Sequence, residues 1–297
     1  MQKVSKDHII YAMSAQNKPA LHADPGTQIQ FETWDALHGQ ITSADGGFDG
    51  LDWERVNPAT GPVYINGAEP GDILSIRINK IEVAESGVVI CGKDMGVMGS
   101  ALQGSATKII PIKDGIAHFS NEIRLPLNKM IGVIGVAPEE GEIPCGAPDL
   151  HGGNMDCKEI KEGAALLLPV FIPGALLALG DLHAVMADGE IGVSGLEVSG
   201  SVIVTVDVIK GKKLPLPMIQ NDNHIMTITS HEDLDIAVEM AVANMVSYLT
   251  ETEGFAPEDA TMLISLAADV RICQVVDPKK TVRVEFPRKY LCGVKRG

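Results

Sequence analysis

Strand-period alternation is the feature that most restricts what this chain can fold into. Across residues 201–209, Val202, Val204, Val206 and Val208 fall on one side, and Thr205 and Asp207 on the other. From Ile73 to Val83, Leu74, Ile76 and Ile78 share one side, and Arg77 and Asn79 take the opposite one. A period of two is the mark of a half-buried strand, whose successive side chains point to opposite faces. Residues 224–229 and 281–286 are further runs of β type. Asp24-Pro25-Gly26 and Pro70-Gly71-Asp72 are turn signals placed before such runs. Pro173-Gly174 and Gly180-Asp181 interrupt the apolar middle in the same way. Aromatic residues make up only 4% of the chain, so Val, Ile, Leu, Ala and Met have to build the core.

Helical periodicity enters late. Ser230 is placed to cap a first helix, with Asp233 three residues on in a capping-box-like pattern. Val238, Val242, Met245 and Leu249 form its apolar stripe, and Gly254 stops it. Pro257 opens a second helix, in which Met262, Leu266 and Val270 recur at helical spacing. Strands first and helices last predict a mainly β or α+β fold: a β-sandwich or jelly-roll-like core with two C-terminal helices. A doubly wound sheet is not expected. The 297 residues read as a single unit, with two intimate subdomains as the other reading. A soft boundary between them would fall at residues 139–147, rich in Gly, Pro and Glu.

The net charge of −15 argues against nucleic acid, whose binding relies on Lys and Arg against phosphates. It suits a neutral or cationic small substrate, or simply a solvated acidic surface. The five cysteines (Cys91, Cys145, Cys157, Cys273 and Cys292) are irregularly spaced and form no Cys-x-x-Cys. That does not indicate a disulfide framework or a zinc knuckle, and it fits a reducing compartment better. The start of the chain leads into no signal-type apolar core. Residues 164–179 contain Pro169 and Pro173 and fall short of the ~20 residues of a membrane helix. A cytoplasmic protein with no membrane partner is expected.

Candidate chemistry concentrates in three places. In an extended Asp181-Leu182-His183, Asp181 and His183 aim at one point, as two metal ligands on a strand would. The duller reading is that Asp181 caps a turn and His183 is a core histidine. The Asp188-Gly189-Glu190 turn folds Glu190 back beside His183. In His151-Gly152-Gly153-Asn154-Met155-Asp156, the glycines let a ligand approach the main chain. There Asn154 can orient an amide, and Asp156 can hold a metal or a substrate NH₂; a polar surface loop is the alternative. Glu32, Asp35 and His38 could form one wall of a site or an exposed loop end. Cys145 and Cys157 flank the Gly-Gly loop, but the acidic surroundings favour buried, inert thiols. No Gly-x-Ser-x-Gly elbow occurs, and Cys91-Gly92-Lys93 lacks a phosphate-loop context. His8, His22, His118, His224 and His231 are scattered singletons.

Several of these segments, taken in order, resemble the acetamidase/formamidase family. They are residues 61–72 (Gly-Pro-Val-Tyr-Ile-Asn-Gly-Ala-Glu-Pro-Gly-Asp), 152–156, 180–186 and 188–190, with Asp35 and Gly39-Gln40 as an earlier motif. One departure is Ala187, where the family pattern has Gly. The resemblance implies hydrolysis of formamide, acetamide and related short amides to ammonia and the acid. It also implies a largely β fold, a homodimer or higher homo-oligomer, and a divalent metal, zinc first. A metal polarises the carbonyl and acidifies water, and a nearby carboxylate relays the proton. The residue assignments that follow are Asp181, His183, Asp35 and His38 as metal ligands and Glu190 as the catalytic acid/base. Asn154, Asp156 and Gly153 are assigned to the substrate, or to a second, harder cation such as calcium. The competing expectations are a cysteine-dependent amidohydrolase and a non-enzymatic metal- or ligand-binding β-sandwich.

Overall fold

Residues 1–44 and 50–291 are described by the computed structural model; Cys292, counted above, lies outside them. Among the described residues the chain forms a nine-stranded sheet, an eleven-stranded sheet and a two-stranded ribbon. The alternating runs lie at the centre of the nine-stranded sheet, where strand Gly200–Ile209 pairs antiparallel with Ile73–Val83, Val206 opposite Ile76. Their inward residues Val202, Val204, Val206, Leu74, Ile76 and Ile78 have no solvent exposure. They join one apolar cluster with Val63, Ile131, Ile134, Leu179 and Leu182 of the eleven-stranded sheet. The two sheets therefore pack face to face, as a sandwich.

The two helices close the other face of the nine-stranded sheet. Helix α1 (Leu234–Ser247) and helix α2 (Pro257–Ala267) share an apolar cluster with Met218, Ile225, Val282, Val284 and Phe286. Two sequence expectations need correction here. Ser230 belongs to strand His224–His231 and bonds Thr281 at 3.0 Å, so it caps nothing. Asp233 is the cap: its Oδ1 accepts from the amides of Asp235 and Ile236. Of the expected stripe, Met245 and Leu249 are buried; Ala237 and Ala241 take the rest of the inner line of α1, with Val238 and Val242 packed at its side. In α2, Ala260 and Ile264 face inward, whereas Met262 and Leu266 face outward and Val270 lies in the next strand, Asp269–Gln274. Ala237, Ala241 and Ala260 make the close helix contacts beside Met245 and Ile264, while Met262 and Leu266 remain outside.

Residues 139–147 include strand Glu142–Pro144, which pairs with Ala12–Ser14 and returns this stretch to the N-terminal region.

Candidate active site

Four adjacent strands of the eleven-stranded sheet assemble the polar centre. Strand Leu177–His183 lies between Met130–Gly135 and Glu197–Val198, with His183 in register with Glu197 and Val133 with Gly180. On its far side Met130–Gly135 pairs with Gly152–Asn154, Val133 opposite Asn154. Leu182 and Ala184 enter the core, which leaves Asp181 and His183 on the opposite side. Strand Met130–Gly135 carries Gly132 where a side chain would close the space. A Cβ there would lie 2.5 Å from both Asp156 Oδ1 and Asp181 Oδ2. Gly195 likewise leaves room for the His183 ring, since its Cβ would meet Nδ1 at 2.5 Å.

His183 is the hub. Its Nε2 lies 3.2 Å from Asp181 Oδ1 and 3.2 Å from Glu197 Oε2. Asp156 Oδ1 and Glu190 Oε1 follow at 3.8 and 3.9 Å. Its Nδ1 rests 3.2 Å from the Met186 sulfur. All six residues are buried. Asp277 joins from a loop of the other sheet, its carboxylate accepting from Asn154 Nδ2 at 3.0 Å. Asp156 Oδ1, Glu190 Oε2 and Asn154 Oδ1 are buried without a hydrogen-bond partner, and Glu197 Oε2 has only the His183 nitrogen that it shares with Asp181. Oxygen acceptors this deep are normally satisfied, so the cluster is built to receive something. Asp156, Asp181 and Glu190 also have φ of 42°, 54° and 43°. Such backbone costs about 1–3 kcal/mol at each residue and gathers at functional sites.

Electrostatics follow from this crowding. Burial raises the carboxyl of Asp156 well above its ordinary value, and Glu190 and Asp181 add to the shift. Glu190 and Glu197 are both pushed up to about 8, mainly by burial. Asp277 rises through burial and the charge of Asp156. Burial would discharge His183, but Glu197 and Asp181 outweigh it and raise its pKa. Asp181 is also buried, yet His183 holds it below the usual range. These groups line a cavity of about 150 Å³ whose other wall is apolar: Leu37, Val56, Ile90 and Val193 among others. Ordinary ligand pockets hold roughly 300–1,000 Å³, so this one fits a molecule of few atoms.

The structure thus gathers Asp181, His183, Glu190, Asn154 and Asp156, and parts Asp35 and His38 from them. Asp35 Oδ1 accepts from the Leu37 and Gly39 amides, closing a turn, although it is near enough for Asp181 to raise its pKa further after burial. His38 Nδ1 is engaged by Tyr11 at 2.7 Å and by Arg55 at 3.1 Å. Glu32 points elsewhere, to Lys3 at 2.7 Å. Gly153 adopts φ +80°, and its bare Cα packs against Ala147 and His151, away from the cavity lining. Asp188 anchors the Glu190 turn through Arg283 at 2.6 and 2.9 Å. Ala187 has no left-handed backbone, so a side chain is tolerated where glycine was expected. Sequence reasoning missed Glu197 and Asp277. Glu197 had a signal, a lone acid between the apolar Leu196 and Val198, whereas Asp277 in a Val-Asp-Pro loop had none.

Of the described residues, two sets bring ligand atoms within 4.8 Å of one another: Asp181, His183 and Glu197, and Asp156, His183 and Glu190. One imidazole among carboxylates is a donor set that zinc accepts, and the orphaned oxygens are where a cation would bind. The residues fit a divalent metal.

A two-sheet sandwich with a buried histidine–carboxylate centre beside a small cavity defines the class of protein. The acetamidase/formamidase family model matches residues 15–144 and 142–290, and the chain belongs to that family. Among solved structures, an acetamidase from Bacillus halodurans is 42% identical, with 98% of this chain and 100% of that one covered, at a TM-score of 0.97. An acetamidase from Yersinia enterocolitica is 31% identical over 98% and 93%, with a TM-score of 0.92. The acetamidase of Mycolicibacterium smegmatis is 26% identical over 253 residues, 63% of this chain. The chain spans 60% and 62% of the length of two curated relatives that it matches.

Proposed function

We propose that this chain hydrolyses short linear amides, formamide and acetamide among them, to ammonia and a carboxylate. A divalent cation, zinc by its donor set, would be held by Asp181, His183 and Glu197. The observation that carries this reading is His183 among four buried carboxylates, opening on a cavity of about 150 Å³. Glu197 takes the place that Asp35 and His38 had in the sequence reading.

When bound, the cation supplies Lewis acidity toward the amide carbonyl and the attacking water. Glu190, held up to about 8, exchanges a proton near neutral pH. It takes the proton of the attacking water and delivers it to the departing nitrogen. Asn154 Oδ1 accepts from the amide NH₂, and Asp277 fixes the Asn154 side chain. Asp156, its carboxyl raised by burial, lines the cavity and meets the substrate there. A second, harder cation such as calcium would instead use the oxygens of Asp156, Asn154 and Asp277. The apolar wall receives a short acyl group.

Burial speaks against a cysteine nucleophile. The Cys145 thiol is pushed up to about 12, Cys157 has no exposure, and neither lines the cavity. A mere binding module needs no acid/base beside the metal set, yet Glu190 Oε1 lies 3.9 Å from His183. Cys91, Cys145, Cys157 and Cys273 are free thiols, which supports a reducing, cytoplasmic setting. No helix among the described residues is long and apolar enough to cross a membrane. Homo-oligomerisation is supported by exposed apolar side chains at the C-terminal helices.

Ammonia release from formamide and acetamide by the purified chain, before and after chelation, tests this. Activity lost on chelation and restored by zinc is the expected result. A metal-loaded chain that releases no ammonia, or an activity lost to thiol alkylation instead, contradicts it.

A further inference from the structure

We propose that the outer edge of the nine-stranded sheet docks a second copy of this chain by two-fold antiparallel strand pairing. Strand Asp269–Gln274 is the terminal strand of that sheet, paired on one side to Lys280–Pro287; on the other, Gly189 bridges Gln274 at its end, and residues 269–272 pair with no strand among the described residues. Open edges recruit another strand through their free amides and carbonyls unless charge, proline or a bulge blunts them; here Asp269 and Arg271 carry the charge, and the irregularity falls between Ile272 and Gln274, past the segment that pairs. Here the edge is apolar on the side of the helices. Val270 and Ile272 are in register with the buried Val284 and Val282, and they remain 45% and 37% exposed. Beside them α2 presents Met262 and Leu266 at 57% and 85% exposure. These are the residues whose helical spacing marked an inward stripe in the sequence, and nothing in the described chain covers them.

The charges specify one register. A two-fold axis perpendicular to the sheet keeps each strand's faces, so a residue can only stand opposite one of like parity. With Val270 opposite Val270, Asp269 meets Arg271 of the partner copy twice, and Ala268 meets Ile272. Moving the axis to residue 269 or 271 sets Asp against Asp or Arg against Arg. Moving it to 272 pairs no charges. Opposite charges directly across strands stabilise pairing and like charges disfavour it. In the single chain Asp269 and Arg271 bond each other at 2.8 Å, so they share a face and can exchange partners across the axis. Two copies carrying −15 each repel at long range, and association needs such local complementarity.

This surface rests on the homo-oligomer reading, and the two fail differently. Light scattering on the purified chain after gel filtration should give a dimer or an even multiple of 31.5 kDa. Arg271→Asp should halve that mass. The double variant Asp269→Arg/Arg271→Asp, which restores the opposite pair with the charges exchanged, should recover it. Circular dichroism of each variant verifies the fold. A monomeric or three-fold wild type overturns both the oligomer reading as drawn and this surface. An even assembly that keeps its mass in Arg271→Asp, or that the double variant fails to restore, overturns the surface alone.

Discussion

At Gly132 a methyl group would stand 2.5 Å from one oxygen of Asp156 and one of Asp181. The residue contributes no polar atom, yet it sets how closely the acids of two neighbouring strands approach. Gly132→Ala should leave the secondary structure intact and lower bound metal per chain. It should also slow ammonia release about 100-fold, the cost of a displacement near 1 Å at a reacting centre. Metal analysis with a rate assay checks both. Glu190→Gln keeps the side-chain shape and removes the proton relay. Turnover should fall roughly 10²–10⁴-fold while metal content holds; normal turnover would remove Glu190 from its role. Asp181, His183, Glu190, Asn154 and Asp156 were legible in the sequence because short-range spacing and a tight turn place them. Glu197 reaches His183 through strand pairing, and Asp277 reaches Asn154 across 123 residues of chain. No local pattern records such meetings. Asp35 stands apart from the cluster with its Oδ1 closing a turn, and an Asx-type turn and a ligand motif have the same local appearance.

At the scale of elements, period-two alternation located the central strands with the faces the structure has. That signal survives because both strands are buried on one side along most of their length. The helices were legible in existence and less so in orientation. The cap of α1 lies at Asp233, three residues past the Ser230 that the sequence favoured, because the strand holding Ser230 continues to His231. Asp233→Ala should cost about 1 kcal/mol and lower Tm by ~2–4 °C, whereas Ser230→Ala should leave the cap untouched. Thermal unfolding of the two variants side by side checks this, and a larger loss in Ser230→Ala would reverse the assignment. On α2 Met262 and Leu266 lie outside and Ala260 and Ile264 inside. Periodicity gives the spacing of a stripe and leaves open whether the core or a partner covers it.

At the scale of the whole molecule, folding confines five acids and one histidine in a space with no lysine or arginine among its lining residues. That has a pH signature. Glu190 and Glu197 sit near 8 in the folded chain against 4.5 as their ordinary value. Between those values the folded state holds protons that the unfolded chain has released, so stability falls as pH rises and is lost through about pH 8. His183, also raised, contributes with the same sign. The chelated protein should therefore melt at lower temperature as pH goes from about 6 to 9, and added zinc should reverse most of that loss at the alkaline end. A melting temperature that rises over this range contradicts the proton balance.

The most direct test of the account is a crystal of the catalytically active, zinc-loaded chain measured on both sides of the zinc absorption edge. The account predicts an anomalous peak bounded by Asp181, His183 and Glu197, with Glu190 beside it and the cavity in front. A peak at Asp35 and His38 instead, or none at the His183 cluster in a chain that still releases ammonia, would contradict it.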